Sequence, residues 1–321
     1  MAVYTEVSDD DLAAFVARYD IGEITSFKGI AEGVSNSNFF LQTTRDRFIL
    51  TLYEARAPRE DLPFFINLMD HLAAHGLACP SPVRDRQGET LGELSGRPAA
   101  LVTFLDGVSL KRPQAPHCAE LGAALANLHK AGQGFAMQRA NPLSVSGWRP
   151  LAEASGARAN SISMGLADRI AAELALHEAS WPQGLPSGVI HADLFPDNVF
   201  FVSGRCSGLI DFYFAANDAF AYDLAICLNA WCFETDASFN LTKGQALLSG
   251  YESQRRLEDS EVAALPQLAR GAALRFLLTR TLDWLDVPPG ALVKPLDPIP
   301  YDRRLSFHSK ITSVMQYGLV R

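Results

Sequence analysis

The 321-residue sequence predicts an α+β protein in two parts: a small antiparallel-β part over residues 1–104, and a larger, mainly helical part over residues 105–321. Three observations carry this expectation. Alternating apolar runs crowd the first hundred residues, and helical periodicity takes over after LDG (105–107). The helical region is then interrupted by HADLFPDNVFF (191–201) ahead of LIDF (209–212). The chain opens with SDDDLAAFVARY, where Ser8 suits a helix N-cap, the acidic triplet suits a helix N-terminus, and Leu12, Phe15, Val16 and Tyr19 share one face. EITSFKGIA, NFFLQT and RFILTL read as strands, the last two joined by a short turn at Arg45-Asp46. An amphipathic helix near 60–75 follows, with Glu60 and Asp61 at its acidic start, and ETLGEL and PAALVTF add two more strands. CAELGAALANLHKAG (118–132) and LADRIAAELALHEA (166–179) read as helices. Residues 241–321 are helical again, around a Pro-rich break at VPPGALVKPLDPIP (287–300).

Composition excludes several classes. Hydrophobic residues make up 48% of the chain, enough for a large core, and the formal net charge of −8 with scattered Lys and Arg argues against a nucleic-acid footprint. The N-terminal stretch has no basic then apolar signal pattern, and the longest apolar segment, LAICLNAWCF (224–233), is too short to span a bilayer, so a soluble, cytoplasmic protein without a membrane partner is expected. The cysteines at 79, 118, 206, 227 and 232 show no C-x-x-C spacing and read as reduced, buried thiols.

HADLFPDNVFF places two Asp and one Asn where a buried strand pair carries nothing ionisable. If VFFV (199–202) and SGLI (207–210) pair around a four-residue SGRC loop, 202 faces 207 and 198 faces 211. Asn198 and Asp211 then meet at one end, across strands about 4.8 Å apart, a gap that a Mg²⁺ ion with oxygen ligands at about 2.1 Å bridges. Asp193 lies in the preceding loop, over the same spot.

The pattern His191-x-Asp193-x-x-x-x-Asn198, followed by a strand and Ile210-Asp211-Phe212, resembles the catalytic and metal loops of the protein-kinase-like small-molecule kinases, a superfamily of aminoglycoside, choline and homoserine kinases. The resemblance implies a bilobal protein-kinase-like fold with ATP as co-substrate and Mg²⁺ as cofactor. It makes Asp193 the catalytic Asp, Asn198 and Asp211 the metal ligands, and His191 a structural member of the loop. It also makes Asp223, in YDLA (222–225), a brace at a helix start. KGIAEGVSNSNFF (28–40) would cover the nucleotide: Gly33 permits close backbone approach to phosphates, and Ser35, Asn36 and Ser37 add donors. Backbone groups from Thr103 through Phe104 to Leu105 would read the adenine edge. One departure stands out: the strand RFILTL carries Thr51 where many kinases place a phosphate-binding Lys, which leaves Lys28 as one substitute cation.

GVSNSNFFLQT, ILTLYE, ALRFLLTRTLDW (273–284) and RRLSFH (303–308) together resemble the homoserine kinase branch. This implies transfer of the γ-phosphoryl of ATP to the side-chain hydroxyl of L-homoserine, a step of threonine biosynthesis. Choline, an aminoglycoside or hydroxylysine is the alternative acceptor. A site for homoserine needs a cation for the carboxylate and an anion for the ammonium. Arg280 and Asp283 share a helical face, with Arg275 about 140° away at about 100° per residue. The expectation is that Arg275 or Arg280 takes the carboxylate and Asp283 the ammonium, against the plainer reading of an Arg280–Asp283 intrahelical ion pair. Two other classes fit the sequence less well. A metallohydrolase would need ligands beside His191 and Asp193, but the remaining His are dispersed apart from His71/His75, which read as a solvated helix face. A catalytically dead kinase-like module would have lost at least one of the three key oxygen-bearing residues, and none is missing.

Overall fold

The structure is a computed structural model that describes residues 5–30, 36–54, 58–287 and 295–319. It divides into two compact units, residues 1–106 with 208–213, and residues 107–207 with 214–321. The segment 208–213 thus joins the first unit, although it follows the opening of the helical part.

In the first unit, α1 (Asp9–Val16) is capped by Ser8, whose side chain accepts from the Asp11 N–H. The sheet contains β1 (Ile24–Gly29), β2 (Ser37–Thr43), β3 (Arg47–Leu52), β4 (Gly92–Leu94) and β5 (Arg97–Thr103), in the order β1-β2-β3-β5-β4 with antiparallel pairing throughout. Strand alternation puts Phe39, Leu41, Phe48 and Leu50 into one core with Leu12 and Phe15 of α1. The turn between β2 and β3 is held by Thr43, whose hydroxyl accepts from the Arg45 and Asp46 N–H groups at 3.2 Å each. After β3 comes α2 (Leu62–Ala74), on which His71 is half-buried, while His75, just past its end, is exposed.

The second unit opens on α3 (Ala115–Ala131), α4 (Val145–Ser155) and α5 (Leu166–Ser180). A two-stranded sheet that the sequence reading missed pairs β6 (Ser187–Ile190) with β9 (Ala216–Ala219), antiparallel. Between them lies the expected hairpin of β7 (Val199–Val202) and β8 (Arg205–Leu209). Its turn is tighter than the predicted SGRC loop. Only Ser203 and Gly204 separate the strands, with φ of 50° and 78°, the left-handed pair that two-residue hairpin turns require. Val202 therefore neighbours Arg205 instead of residue 207, and the predicted facing of 198 with 211 across the ladder does not hold.

Four helices complete the unit: α6 (Phe220–Trp231), α7 (Leu241–Glu252), α8 (Asp259–Leu285) and α9 (Ile299–His308). Glycine lets α3 and α7 approach closely: a Cβ on Gly122 would sit 2.1 Å from the Leu247 carbonyl oxygen, and one on Gly250 would sit 2.1 Å from that of Ala119. Asn229 of α6 donates to the Ala269 carbonyl of α8 and accepts from His308 Nε2 of α9 at 3.1 Å, while His308 Nδ1 meets the Tyr317 hydroxyl at 2.7 Å. Among the described residues, no helix is long and apolar enough to cross a membrane.

This packing has a pH consequence. Burial, with Arg304 and Arg270 nearby, lowers His308 to about 3. Burial and then Arg270 lower His177 to about 4. Both are neutral in the folded chain, whereas in the unfolded chain they titrate at about 6.5. As pH falls through that window the unfolded state takes up protons first, so the folded state loses up to about 1.4 kcal/mol per pH unit per histidine. Urea unfolding at a series of pH values is expected to show stability falling between pH ~6.5 and ~4. A flat profile there would refute the neutral, buried assignment.

Candidate active site

The stretch His191–Asn198 is built so that its backbone has nowhere to relax. Ala192 has φ 64°, a left-handed conformation uncommon for a residue with a Cβ, and it aims the following Asp193. Asp223, fully buried on the first turn of α6, accepts from the His191 N–H at 2.7 Å and the Ala192 N–H at 2.9 Å. The Asp193 N–H donates to His191 Nδ1 at 3.3 Å. The carbonyls are held as firmly. Arg275 Nη1 donates to Ala192 O at 2.5 Å, the Phe195 N–H and Asn198 Nδ2 both donate to Asp193 O at 2.8 Å, and Trp231 Nε1 donates to Leu194 O at 2.7 Å. The Asp193 carboxylate stands half-buried on this frame, with Asn198 Nδ2 at 3.3 Å from its Oδ2.

Asp223 is itself supported by a buried chain. His129 Nε2 lies 3.2 Å from its Oδ2, and His129 Nδ1 lies 2.8 Å from the Tyr251 hydroxyl. Tyr251 also receives Arg255, which is paired with Glu261. Burial raises the Asp223 carboxyl, but the bonds from His129 and from the His191 N–H outweigh it and hold the group below the usual carboxylate range. Burial is also the largest influence on His129 and lowers it, so the imidazole is neutral, with its Nε2–H on Asp223 and Nδ1 accepting from Tyr251.

The expected residues distribute as follows. His191, Asp193, Asn198 and Asp223 are brought together by hydrogen bonds. Asp211 belongs to the first unit, exposed, with φ 66°, another left-handed residue at a predicted functional position. Its charge acts on the paired hydroxyls of Tyr53 and Tyr213, 3.0 Å apart, and burial is the main reason both phenols are pushed up. Thr51 joins the same group through its bonds to Tyr213 and, at 2.8 Å, to Asn38 Oδ1. The strand position where many kinases place a cation is thus filled by a buried polar network.

Lys28 is exposed on β1. Gly33 and Ser35 lie outside the described residues. Asn36 and Ser37 are buried and already engaged: Ser37 Oγ donates to Glu54 at 2.8 Å and accepts from the Thr5 N–H, and Asn36 Oδ1 accepts from the Glu54 N–H. Their side chains brace the base of the predicted nucleotide loop. At the end of β5, the Thr103 and Phe104 N–H groups are used by Ser81 O and Arg47 O, while among the described residues that of Leu105 has no partner.

Arg275 departs from its expected role. It is 1% exposed, its Nη1 is spent on Ala192 O, and its guanidinium lies 4.4 Å from the Phe276 ring centre, so it positions the loop. The Arg280–Asp283 ion pair does not form. Asp283 is exposed, while Arg280 turns onto aromatic rings, 4.4 Å from the centre of Tyr301 and 5.9 Å from that of Phe195. Burial lowers the Arg280 guanidinium from its ordinary value, and Tyr301 opposes this, as does the nearby Asp193 carboxylate. Trp231, His129 and the loop role of Arg275 were missed by sequence reasoning, and their only signals were polar atoms inside apolar helical stretches.

Because the Asn198 amide nitrogen is committed to Asp193, its carbonyl oxygen is the group that this side chain has left to offer a hard cation. Mg²⁺ commonly takes one or two protein oxygens and fills the rest of its shell with water and phosphate. Among the described residues, no cluster of three His, Cys, Asp or Glu gathers into an all-protein metal site.

Comparisons with known proteins agree with this architecture. The model of the phosphotransferase enzyme family (APH) matches residues 26–258. A homoserine kinase of Xanthobacter autotrophicus is 65% identical over 319 residues, covering 99% of this chain and 99% of its own. One from Afipia carboxidovorans is 62% identical over 321 residues, covering 100% and 98%. Among solved structures, an amicoumacin kinase in complex with AMP-PNP and Ca²⁺ superposes with a TM-score of 0.69 at 15% identity, over 95% of this chain and 94% of its own. A spectinomycin phosphotransferase in complex with ADP does so with a TM-score of 0.69 at 12% identity, over 98% of both chains. At such identities these structures speak for the fold, an α+β fold of the protein-kinase-like type. Family model, full-length relatives and fold agree: the chain belongs to the phosphotransferase enzyme family.

Proposed function

We propose that this chain transfers the γ-phosphoryl group of ATP to the side-chain hydroxyl of L-homoserine, giving O-phospho-L-homoserine in threonine biosynthesis in the cytoplasm. The observation that carries the acceptor is 65% identity to a homoserine kinase over 99% of both chains. Phosphoryl transfer passes through a loose transition state, so alignment and charge neutralisation matter more than nucleophile strength. The loop around Asp193 suits that demand, since its backbone groups are tied to Asp223, Arg275, Trp231 and Asn198. In this reading Asp193 accepts the hydroxyl hydrogen bond, aligns the oxygen and takes its proton late. Mg²⁺, held by Asn198 and Asp211, would offset phosphate charge. The Leu105 N–H would read the adenine edge, and Lys28 would be a phosphate-facing cation.

An ADP-release assay over amino alcohols and amino acids, with and without Mg²⁺, tests the reading. Activity is expected to require ATP and Mg²⁺ and to favour L-homoserine over L-serine, L-threonine and choline. If choline, an aminoglycoside or hydroxylysine exceeded homoserine by about tenfold in kcat/KM, a difference of about 1.4 kcal/mol in transition-state binding, the acceptor would be wrong.

A further inference from the structure

Near Asp193 lies a group of cations that the loop does not use. Arg280 of α8 and Arg304 of α9 each hold their guanidinium 4.4 Å from the centre of the Tyr301 ring. Arg304 also lies 5.2 Å from the Phe233 ring centre. Two like charges share one aromatic ring, and among the described residues neither Arg280 nor Arg304 has a carboxylate within ion-pair distance, although the Asp193 and Asp297 charges act on Arg280 from farther off. Asp302, the acidic residue of α9, is taken by Arg169 through bonds of 3.0 and 2.7 Å. Two donors here are buried without an acceptor: the hydroxyl of Tyr301, a residue that is 0% exposed, and Nε of Arg304. Stacking on a ring engages the face of a guanidinium and leaves its in-plane N–H fork open, the geometry that matches a carboxylate. The cluster is next to the chemistry. Arg280 also overlies Phe195, two residues beyond Asp193, and the Asp193 carboxylate acts electrostatically on both Arg280 and Tyr301.

The geometry points to Arg304, Tyr301 and Arg280 as the binding site for the acceptor's carboxylate, with the Tyr301 hydroxyl and the two guanidinium forks donating to its oxygens. This rests on the homoserine reading and deepens it: the acceptor is recognised as an α-amino acid, by its anionic end, while its hydroxyl reaches Asp193. An oxyanion could also come from the ATP phosphates, and the experiment separates the two sources.

Arg304→Gln, Arg304→Lys and Tyr301→Phe would be compared with the unaltered chain. Kinetics would use L-homoserine, L-homoserinol (the carboxylate replaced by hydroxymethyl) and ATP. Calorimetric binding would use L-2-aminobutyrate, which keeps carboxylate and ammonium but lacks the hydroxyl. Arg304→Gln is expected to raise the homoserine KM by tenfold or more, leave the ATP KM within twofold and weaken aminobutyrate binding in parallel. With homoserinol, that variant and the unaltered chain should perform alike. Tyr301→Phe, which removes one oxygen and keeps the ring, should raise the homoserine KM several-fold. Arg304→Lys should recover only part of the loss, because it restores charge without the fork. Equal losses with homoserine and homoserinol, a rise in the ATP KM instead, or unchanged aminobutyrate binding would each overturn the assignment. No turnover of homoserine by the unaltered chain would refute the acceptor reading, and aminobutyrate binding would still decide the carboxylate site.

Discussion

Replacing Asp193 by Asn is expected to lower kcat by about 10²-fold or more, because a positioned acid–base group contributes about 10² to 10⁴. The substitution is nearly isosteric and leaves the loop intact. The bonds that hold the backbone run through the Ala192, Asp193 and Leu194 carbonyls and the His191 and Ala192 N–H groups, none of which it removes. What disappears is the anionic acceptor that aligns the hydroxyl and takes its proton. ATP affinity, measured calorimetrically in the presence of Mg²⁺, should therefore survive while turnover collapses. Asp211→Asn should show the reverse bias, weakening metal-dependent nucleotide binding. Near-normal turnover of Asp193→Asn would remove Asp193 from the catalytic role.

Much of this arrangement is legible in the sequence, and the parts that are not have a physical reason. Strands β2 and β3 declare themselves by alternation, since one face is buried with α1. The spacing from His191 to Asn198 is local and could be read directly. The hairpin register was missed because SGRC reads equally as a four-residue loop. It is the left-handed Ser203 and Gly204 that close it in two residues. The loop's clamps were invisible for a different reason: Trp231 and Arg275 lie 37 and 83 residues from the carbonyls they hold. No local pattern encodes that distance. In ALRFLLTRTLDW the i, i+3 spacing suggested an ion pair, but aromatic rings of α9 and of the loop compete for Arg280 and win. RRLSFH carried a family likeness, and only the fold reveals that Arg304 shares a ring with Arg280.

The second large effect is expected at Asp223, which touches no substrate in this reading. Its carboxylate is 0% exposed and accepts two loop N–H groups and the His129 imidazole. Asp223→Ala leaves both N–H groups buried without an acceptor, at about 1–3 kcal/mol each, and removes the partner of His129. A destabilisation of about 2–6 kcal/mol is expected, the sum of those two penalties. The carboxyl is held below its ordinary value in the folded chain, so its contribution is fully present above the unfolded pKa of about 3.9 and is lost only as pH falls further. At neutral pH the whole effect should therefore be visible in urea unfolding. Catalysis should suffer beyond the loss of folded protein. Ala192, at φ 64°, has no intrinsic preference for its conformation, and without the two N–H anchors Asp193 is no longer aimed. Under conditions where the variant is still folded, kcat should fall at least tenfold with little change in ATP KM. Asp223→Asn, which keeps one acceptor oxygen but turns an N–H₂ toward a donor, should lie between the two. A variant of Asp223→Ala within about 1 kcal/mol of the unaltered chain and with normal kcat would mean that Arg275, Trp231 and Asn198 hold the loop unaided.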